Sequence, residues 1–251
     1  MSVTPRKLSL AWGLWFHFWL LICTIIFANM ALLGTFINRT GNLYRRGAVG
    51  WGKWPLRFGR IPVQVEGLEL LTPGQTYVYA ANHRSAIDIF ALAAILPGKF
   101  MWVAKESIFK IPIIGQVLAR LGSVPVDRSN LQKAMRSLNL AAARVRGGMS
   151  VIIFPEGTRA ETPEILPFKK GVFVMAFKAG QPIVPVSISG TMAIQPRGSF
   201  RVRPGPVKVV ISKPIAPQDF PRKEELIAAV HHAVAANYDP YFPYGPGGAD
   251  G

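Results

Sequence analysis

Half of the 251 residues are hydrophobic and only 17% are charged, which excludes a solvated, disordered chain and fits one catalytic-sized domain with a membrane-facing appendage. The lone cysteine, Cys23, excludes an internal disulfide and, having no Cys or His partner at ligand spacing, reads as a small hydrophobe. A net charge of +16 points to an anionic partner, either nucleic acid or a lipid surface.

Leu8 to Ile37 carries no formal charge. As one helix it would run about 45 Å, longer than the roughly 30 Å hydrocarbon core of a bilayer. It must therefore tilt, emerge into the interface or break, and Asn29 and Gly34 are the expected break points. The run is longer than a signal peptide's apolar region and lacks a small-x-small cleavage site, so it reads as a retained anchor. Arg6 and Lys7 precede it; Arg39, Arg45, Arg46, Lys53, Arg57 and Arg60 come after it, interleaved with Tyr44, Trp51, Trp54 and Phe58, and the first acidic residue is Glu66. Cations and amphipathic aromatics beside an apolar run suit the headgroup zone of a membrane, and no zinc-finger spacing or RNP-type motif supports a nucleic-acid partner. Residues 1–60 are thus expected to form a membrane anchor with a basic, aromatic interfacial segment. Whether it spans the bilayer or forms a helical hairpin in one leaflet, the charge asymmetry places the catalytic-sized domain on the cytoplasmic side of the cytoplasmic membrane.

From residue 61 to 237 short β-type runs alternate with helical periodicity. Strands are expected at Thr76 to Ala81, Lys99 to Ala104, Ser123 to Val126, Ser150 to Phe154, Ile183 to Ser189 and Val207 to Ile211. Helices are expected at Ile87 to Leu96, Ile113 to Leu121, Leu131 to Arg146, Lys170 to Ala179 and Lys223 to Tyr238. Such alternation predicts an α/β domain with a largely parallel central sheet flanked by helices, its ligands at the carboxyl ends of strands. Residues 238–251, rich in Pro, Gly and Tyr, read as a mobile C-terminal tail.

Two segments carry chemistry. Asn82-His83-Arg84-Ser85-Ala86-Ile87-Asp88 sits at a strand-to-helix turn and pairs an imidazole with a carboxylate, the combination needed to take a proton from a hydroxyl and return it. Phe154-Pro155-Glu156-Gly157-Thr158-Arg159 comes after an apolar strand, with a guanidinium that can fork onto phosphate and a glycine that permits close backbone approach. Each has a plainer reading: a buried His satisfied by Asp88, and a turn in which Glu156 pairs with Arg159. His17 reads as an interfacial imidazole among tryptophans, and His231 and His232 point in different directions on one helix.

The two segments together and in this order resemble the glycerolipid acyltransferases, most closely the 1-acyl-sn-glycerol-3-phosphate (lysophosphatidate) acyltransferase branch. The resemblance runs from about Tyr77 to Gly190. Asn82-His83 through Asp88 matches the N-H-x4-D block, Gly122 to Arg128 resembles the second block, Phe154 to Arg159 matches the third, and Ile183-Val184-Pro185-Val186 resembles the apolar fourth. Lys105-Glu106 with Pro112 and Gly115, and Phe168-Lys169-Lys170-Gly171, look like segments common in this branch. Ala160 stands where a serine often comes after the arginine, and Glu161 to Glu164 is unusually acidic.

The resemblance implies the glycerolipid acyltransferase fold and transfer of an acyl group from a thioester, acyl-CoA or acyl carrier protein, to the sn-2 hydroxyl of lysophosphatidate, forming phosphatidic acid. It implies His83 as the base and Asp88 as its partner, with no cofactor or metal. Asn82, Lys105, Arg128, Glu156, Gly157, Thr158 and Arg159 become substrate-binding candidates. Glu156 has the wrong sign for phosphate and is expected to position Arg159 or to hydrogen-bond the glycerol. Another lysolipid, such as a lysophospholipid or lyso-ornithine lipid, is the alternative acceptor. A serine hydrolase lacks support because no G-x-S-x-G occurs. A non-enzymatic membrane-binding protein would share the anchor and basic belt but would have no use for His83, Asp88 and Arg159 as a set.

Overall fold

The computed structural model describes residues 7–37 and 42–245. Arg6, Arg39, the side chain of Tyr44 and the last six residues of the expected tail lie outside the described residues.

A seven-stranded sheet with order β1-β7-β6-β2-β5-β3-β4 forms the centre. Its strands are β1 (Val63–Glu66), β2 (Val78–Ala81), β3 (Phe100–Lys105), β4 (Val124–Val126), β5 (Ser150–Ile153), β6 (Ile183–Ser189) and β7 (Val207–Ile211). All neighbouring pairs are parallel except β6 with β7, so the expected α/β architecture holds. The inner strands β2, β5 and β6 are buried on both faces, which is why their sequences are continuous apolar runs. Strand β1 alternates half-buried and exposed residues at the sheet edge and escapes a search for apolar runs. The return of β7 against β6 has no local signal in the sequence either.

The pleat divides the core in two. Tyr79, Ile152, Val184 and Ile188 point to one face, against α3 (Asn42–Phe58) and α4 (Ile87–Ile95). Val78, Ala80, Val151 and Ile153 point to the other, against α6 (Leu131–Arg146), α7 (Lys170–Ala179) and α9 (Lys223–Ala236). Two shorter helices, α5 (Ile114–Arg120) and α8 (Thr191–Ile194), complete the set.

The apolar N-terminal run is one continuous helical rod: α1 (Leu10–Cys23), a π-helical segment Thr24–Ala28, and α2 (Asn29–Ile37). Leu10–Gly34 is long and apolar enough to cross a membrane. The irregularity falls at Thr24–Ala28 rather than at the expected Asn29 or Gly34. Asn29 stays helical by returning its amide to the Ile25 carbonyl at 2.6 Å, and Thr24 bonds the Leu20 carbonyl at 2.7 Å. The rod lies along the domain: Ser9 bridges to Val202, Phe16 is 1% exposed beside Leu56, and a Cβ at Gly13 would stand 2.3 Å from the Phe200 carbonyl oxygen. Its other side exposes Leu14, Phe18, Leu21, Ile25 and Leu33.

Helix α3, read from sequence only as a basic, aromatic segment, wedges between this rod and α4. Its glycines allow the approach, since a Cβ at Gly47 would meet the Ala31 backbone at 2.8 Å and one at Gly52 the Ala94 backbone at 2.6 Å. The expected mobile tail also differs: Asp239 N donates to the Ser189 hydroxyl at 2.9 Å, and Arg203 lies over the Tyr244 ring at 4.7 Å, docking residues 238–245 on the domain.

Candidate active site

Four loops leave the carboxyl ends of four strands adjacent in the sheet, β2, β5, β3 and β4. This is where an open α/β sheet gathers ligand-binding groups. The β2–β5 pairing, with Ala80 opposite Ile153, sets the His83 loop beside the Glu156–Arg159 loop.

His83 leaves β2 with its ring 14% exposed, and its Nδ1 lies 2.8 Å from Asp88 Oδ2. The same carboxylate oxygen accepts from the backbone N–H of Arg84 at 2.7 Å and of Ser85 at 2.9 Å. Asp88 is fully buried in the first turn of α4, where a carboxylate is favoured by the exposed N–H groups. Ser85 closes the turn, donating its hydroxyl to the Gln195 carbonyl at 2.8 Å and accepting from Ile87 N at 3.2 Å. The Phe154 ring stacks on the imidazole at 3.9 Å and 13°, limiting rotation of the side chain. With Nδ1 donating to Asp88, Nε2 keeps a lone pair that can accept a proton.

Glu156 corrects the sequence reading. It is 2% exposed and neither pairs with Arg159 nor faces the cavity. Its carboxylate accepts from Arg84 Nη1 at 2.8 Å and 3.1 Å, from His83 N at 2.8 Å and from Leu166 N at 2.9 Å. Arg84, which carries no site signal in the sequence, is 1% exposed and also donates to the carbonyls of His83 at 3.1 Å and Glu164 at 2.8 Å. Its Nε donates to the Tyr238 hydroxyl at 3.3 Å. Burial works against the Arg84 charge, but the bonds to Glu156 outweigh it and raise its pKa. Burial raises the Tyr238 pKa against the opposing bond from Arg84.

Asn82 is the second correction. It is fully buried, donating to the Ile188 carbonyl at 2.9 Å and accepting from Ile188 N at 2.7 Å, so it ties β2 to β6 and is not among the residues that line the cavity.

The other candidates, Gly157 excepted, converge on a cavity of about 390 Å³ lined by His83, Lys105, Arg128, Thr158, Arg159 and Arg197, with Trp51, Trp102 and Phe154 among its apolar walls. Burial lowers the Arg128 pKa, and its guanidinium donates to the Gly157 carbonyl. Gly157 adopts φ 74°, so the glycine answers a left-handed turn, with the flexible Lys169 side chain beside it. Arg197, also missed in the sequence, bonds the Arg159 carbonyl at 3.1 Å and pairs with Glu161 at 3.0 Å. Nothing but its position after a strand and short helix could have flagged it. A second, mostly apolar cavity of about 60 Å³ shares Trp51, Trp102, Ile114 and Leu118 with the first and runs between α2, α3 and α5. Among the described residues no group of three or more His, Cys, Asp or Glu could hold a metal ion.

This arrangement presents a proton acceptor, cations for a phosphate and an apolar recess. A 1-acyl-sn-glycerol-3-phosphate acyltransferase of Cocos nucifera is 36% identical over 206 residues, 82% of this chain and 65% of that protein. A chloroplastic 1-acyl-sn-glycerol-3-phosphate acyltransferase of Brassica napus is 40% identical over 153 residues, 60% of this chain and 44% of that protein. The chain thus spans less than two thirds of the length of these relatives. The crystal structure of the 1-acyl-sn-glycerophosphate (LPA) acyltransferase PlsC from Thermotoga maritima superposes with a TM-score of 0.81 at 29% identity, covering 90% of this chain and 93% of that one. The family model described as Acyltransferase matches residues 62–189, just over half of the chain and every loop of the cavity up to β6, and the chain belongs to that family.

Proposed function

We propose that the protein transfers an acyl group from a thioester, acyl-CoA or acyl carrier protein, to the sn-2 hydroxyl of 1-acyl-glycerol-3-phosphate, producing phosphatidic acid. The observation that carries this reading is the His83–Asp88 pair, 2.8 Å apart, facing a cavity whose walls hold Lys105, Arg128, Arg159 and Arg197. The names of the relatives support the same acceptor.

In this reading His83 Nε2 takes the proton of the sn-2 hydroxyl as its oxygen attacks the thioester carbonyl carbon. Collapse of the tetrahedral intermediate breaks the C–S bond, and the imidazolium protonates the leaving thiolate. Asp88 fixes the tautomer and stabilises the cation. Such general-base assistance is worth about 10² to 10⁴ in rate, and alignment of the two substrates supplies much of the rest. Arg159 and Arg128, with Lys105, hold the acceptor's phosphate; Thr158 borders it, and Gly157 shapes the loop. The apolar recess between α2, α3 and α5 adjoins the cavity at Trp51 and Trp102 and would take the first methylenes of an acyl chain.

The same reading places the enzyme at the cytoplasmic face of the membrane, with the N-terminal rod in the plane of one leaflet. The rod's packing along the domain from Ser9 through Ala31 supports in-plane insertion, because a rod held laterally cannot also lead away across the bilayer. Arg45, Arg46, Lys53 and Arg57 suit the anionic cytoplasmic leaflet. A purified-protein assay with a labelled thioester and a panel of lysolipids tests the acceptor. Acylation of lysophosphatidate no faster than lysophosphatidylcholine would sink the assignment.

A further inference from the structure

A groove of about 770 Å³ runs along the opposite flank of α3 from the catalytic cavity and shares no lining residue with it. Its apolar floor includes Leu56, Ile61 and Ile95, and its rim carries Lys53, Arg57 and Arg60. Among the described residues no carboxylate lines it. Among the described residues neither Lys53 nor Arg57 is in an ion pair. Trp12 and Trp15 of α1 line an adjoining pocket with Arg57 and Arg60, and their indole N–H groups donate to the carbonyls of Gly59 at 3.3 Å and Phe58 at 3.0 Å.

Arg60 is held in a conformation that does not suit it. Helix α3 ends with Ile61 N donating to the Leu56 carbonyl at 2.8 Å and Arg60 N to the Arg57 carbonyl at 3.2 Å, a Schellman-type closure. The residue between must be left-handed, and Arg60 has φ 51° where glycine is the usual occupant. The available glycine, Gly59, stands one place earlier, packed so that a Cβ would meet Ile61 and Phe16 at 2.9 Å. Retaining arginine at the left-handed position gives up stability and places a cation at the groove rim, 5.5 Å from the Trp12 ring. A residue held in an unfavourable backbone region is a reason to look for function.

We infer that this groove is a binding site for the headgroup of an anionic glycerophospholipid, separate from the acceptor site. Three cations meet the phosphate, the apolar floor receives the first part of the lipid's chains, and Trp12 and Trp15 sit at the level of the interface. The inference rests on the reading that the N-terminal rod enters one leaflet, which brings the groove to headgroup depth. It gives the protein a preference for anionic bilayers that does not depend on His83.

Co-sedimentation of the full chain with vesicles of pure phosphatidylcholine, and with vesicles containing about one-third phosphatidylglycerol, reads the site through the roughly fivefold affinity expected per cation near an anionic surface. Wild type should prefer the anionic vesicles. The Lys53→Ala/Arg57→Ala double variant should lose about 25-fold of that preference, and Arg60→Gly about fivefold. Because glycine relieves the left-handed turn, Arg60→Gly should keep or raise the wild-type Tm, which separates lost binding from lost folding. A wild-type preference retained in both variants overturns the site, as does an equal loss of binding to pure phosphatidylcholine. Displacement by inorganic phosphate beyond that by chloride at equal ionic strength also overturns it, by making free phosphate the ligand. Wild type that binds neither vesicle overturns the anchor reading and the site with it. Wild type that binds both equally overturns the site alone.

Discussion

Arg84 and Glu156 form an ion pair 2.8 Å apart with side chains 1% and 0% exposed, and through it the loop after β2 is locked to the loop after β5. Glu156 also holds the His83 backbone N–H, so the orientation of the imidazole depends on a buried residue outside the cavity lining. Breaking one side of a buried pair leaves an uncompensated charge and costs about 3 to 5 kcal/mol. Glu156→Ala should therefore lower unfolding free energy by about that amount in denaturant titration, whereas Arg84→Met/Glu156→Leu should recover a large part of it. A Glu156→Ala protein as stable as wild type would remove the locking role.

Asp88 collects three donors on one oxygen, His83 Nδ1 among them. Asn at this position can present an N–H to the imidazole and favour the wrong tautomer. Asp88→Asn should lower kcat by about 10² to 10⁴ with KM for lysophosphatidate little changed. A change confined to KM would reassign Asp88 to acceptor binding.

Much of this is legible in the sequence because the chemistry and the fold coincide there. Leu131–Arg146 and Ile183–Ser189 fall where periodicity and apolar continuity place them, and His83 and Asp88 meet as their spacing suggests. Asn82 and Glu156 mislead for one reason: a polar residue inside a functional motif reads as a ligand contact, and only tertiary structure reveals that Ile188 and Arg84 already use its hydrogen bonds. Arg84 carries no site signal in the sequence, since its partners lie 72 and 154 positions away. Strand β1 escapes because a short half-exposed edge strand has too few apolar residues to stand out, and the antiparallel β6–β7 pair because strand direction leaves no local trace.

Arg159 lines the cavity beside His83. Loss of a charge-assisted contact to phosphate should raise KM for lysophosphatidate in Arg159→Ala by about 10- to 100-fold, with a smaller effect on kcat. Steady-state kinetics at varied acceptor concentration measures the split. Equal KM values for variant and wild type would place the phosphate elsewhere.

Asp127, next to Arg128, has its carboxyl held below the ordinary 3.8 by bonds from the Ser129 hydroxyl and backbone N–H, with Lys133 contributing. A depressed folded value means that the stabilisation is present above the unfolded value and disappears as pH falls through the folded one. The Tm difference between wild type and Asp127→Asn should therefore be constant near neutrality and shrink below about pH 4. A difference that grows on acidification would contradict the Ser129 contacts.

His83 as the proton relay is the step on which the proposed reaction depends. The direct measurement is acyl transfer from a labelled thioester to lysophosphatidate by purified His83→Ala, alongside its vesicle binding and Tm. A fall in rate of about 10² or more with binding and Tm retained is the expected result. Transfer within about threefold of wild type would contradict it, since a general base contributes far more than that.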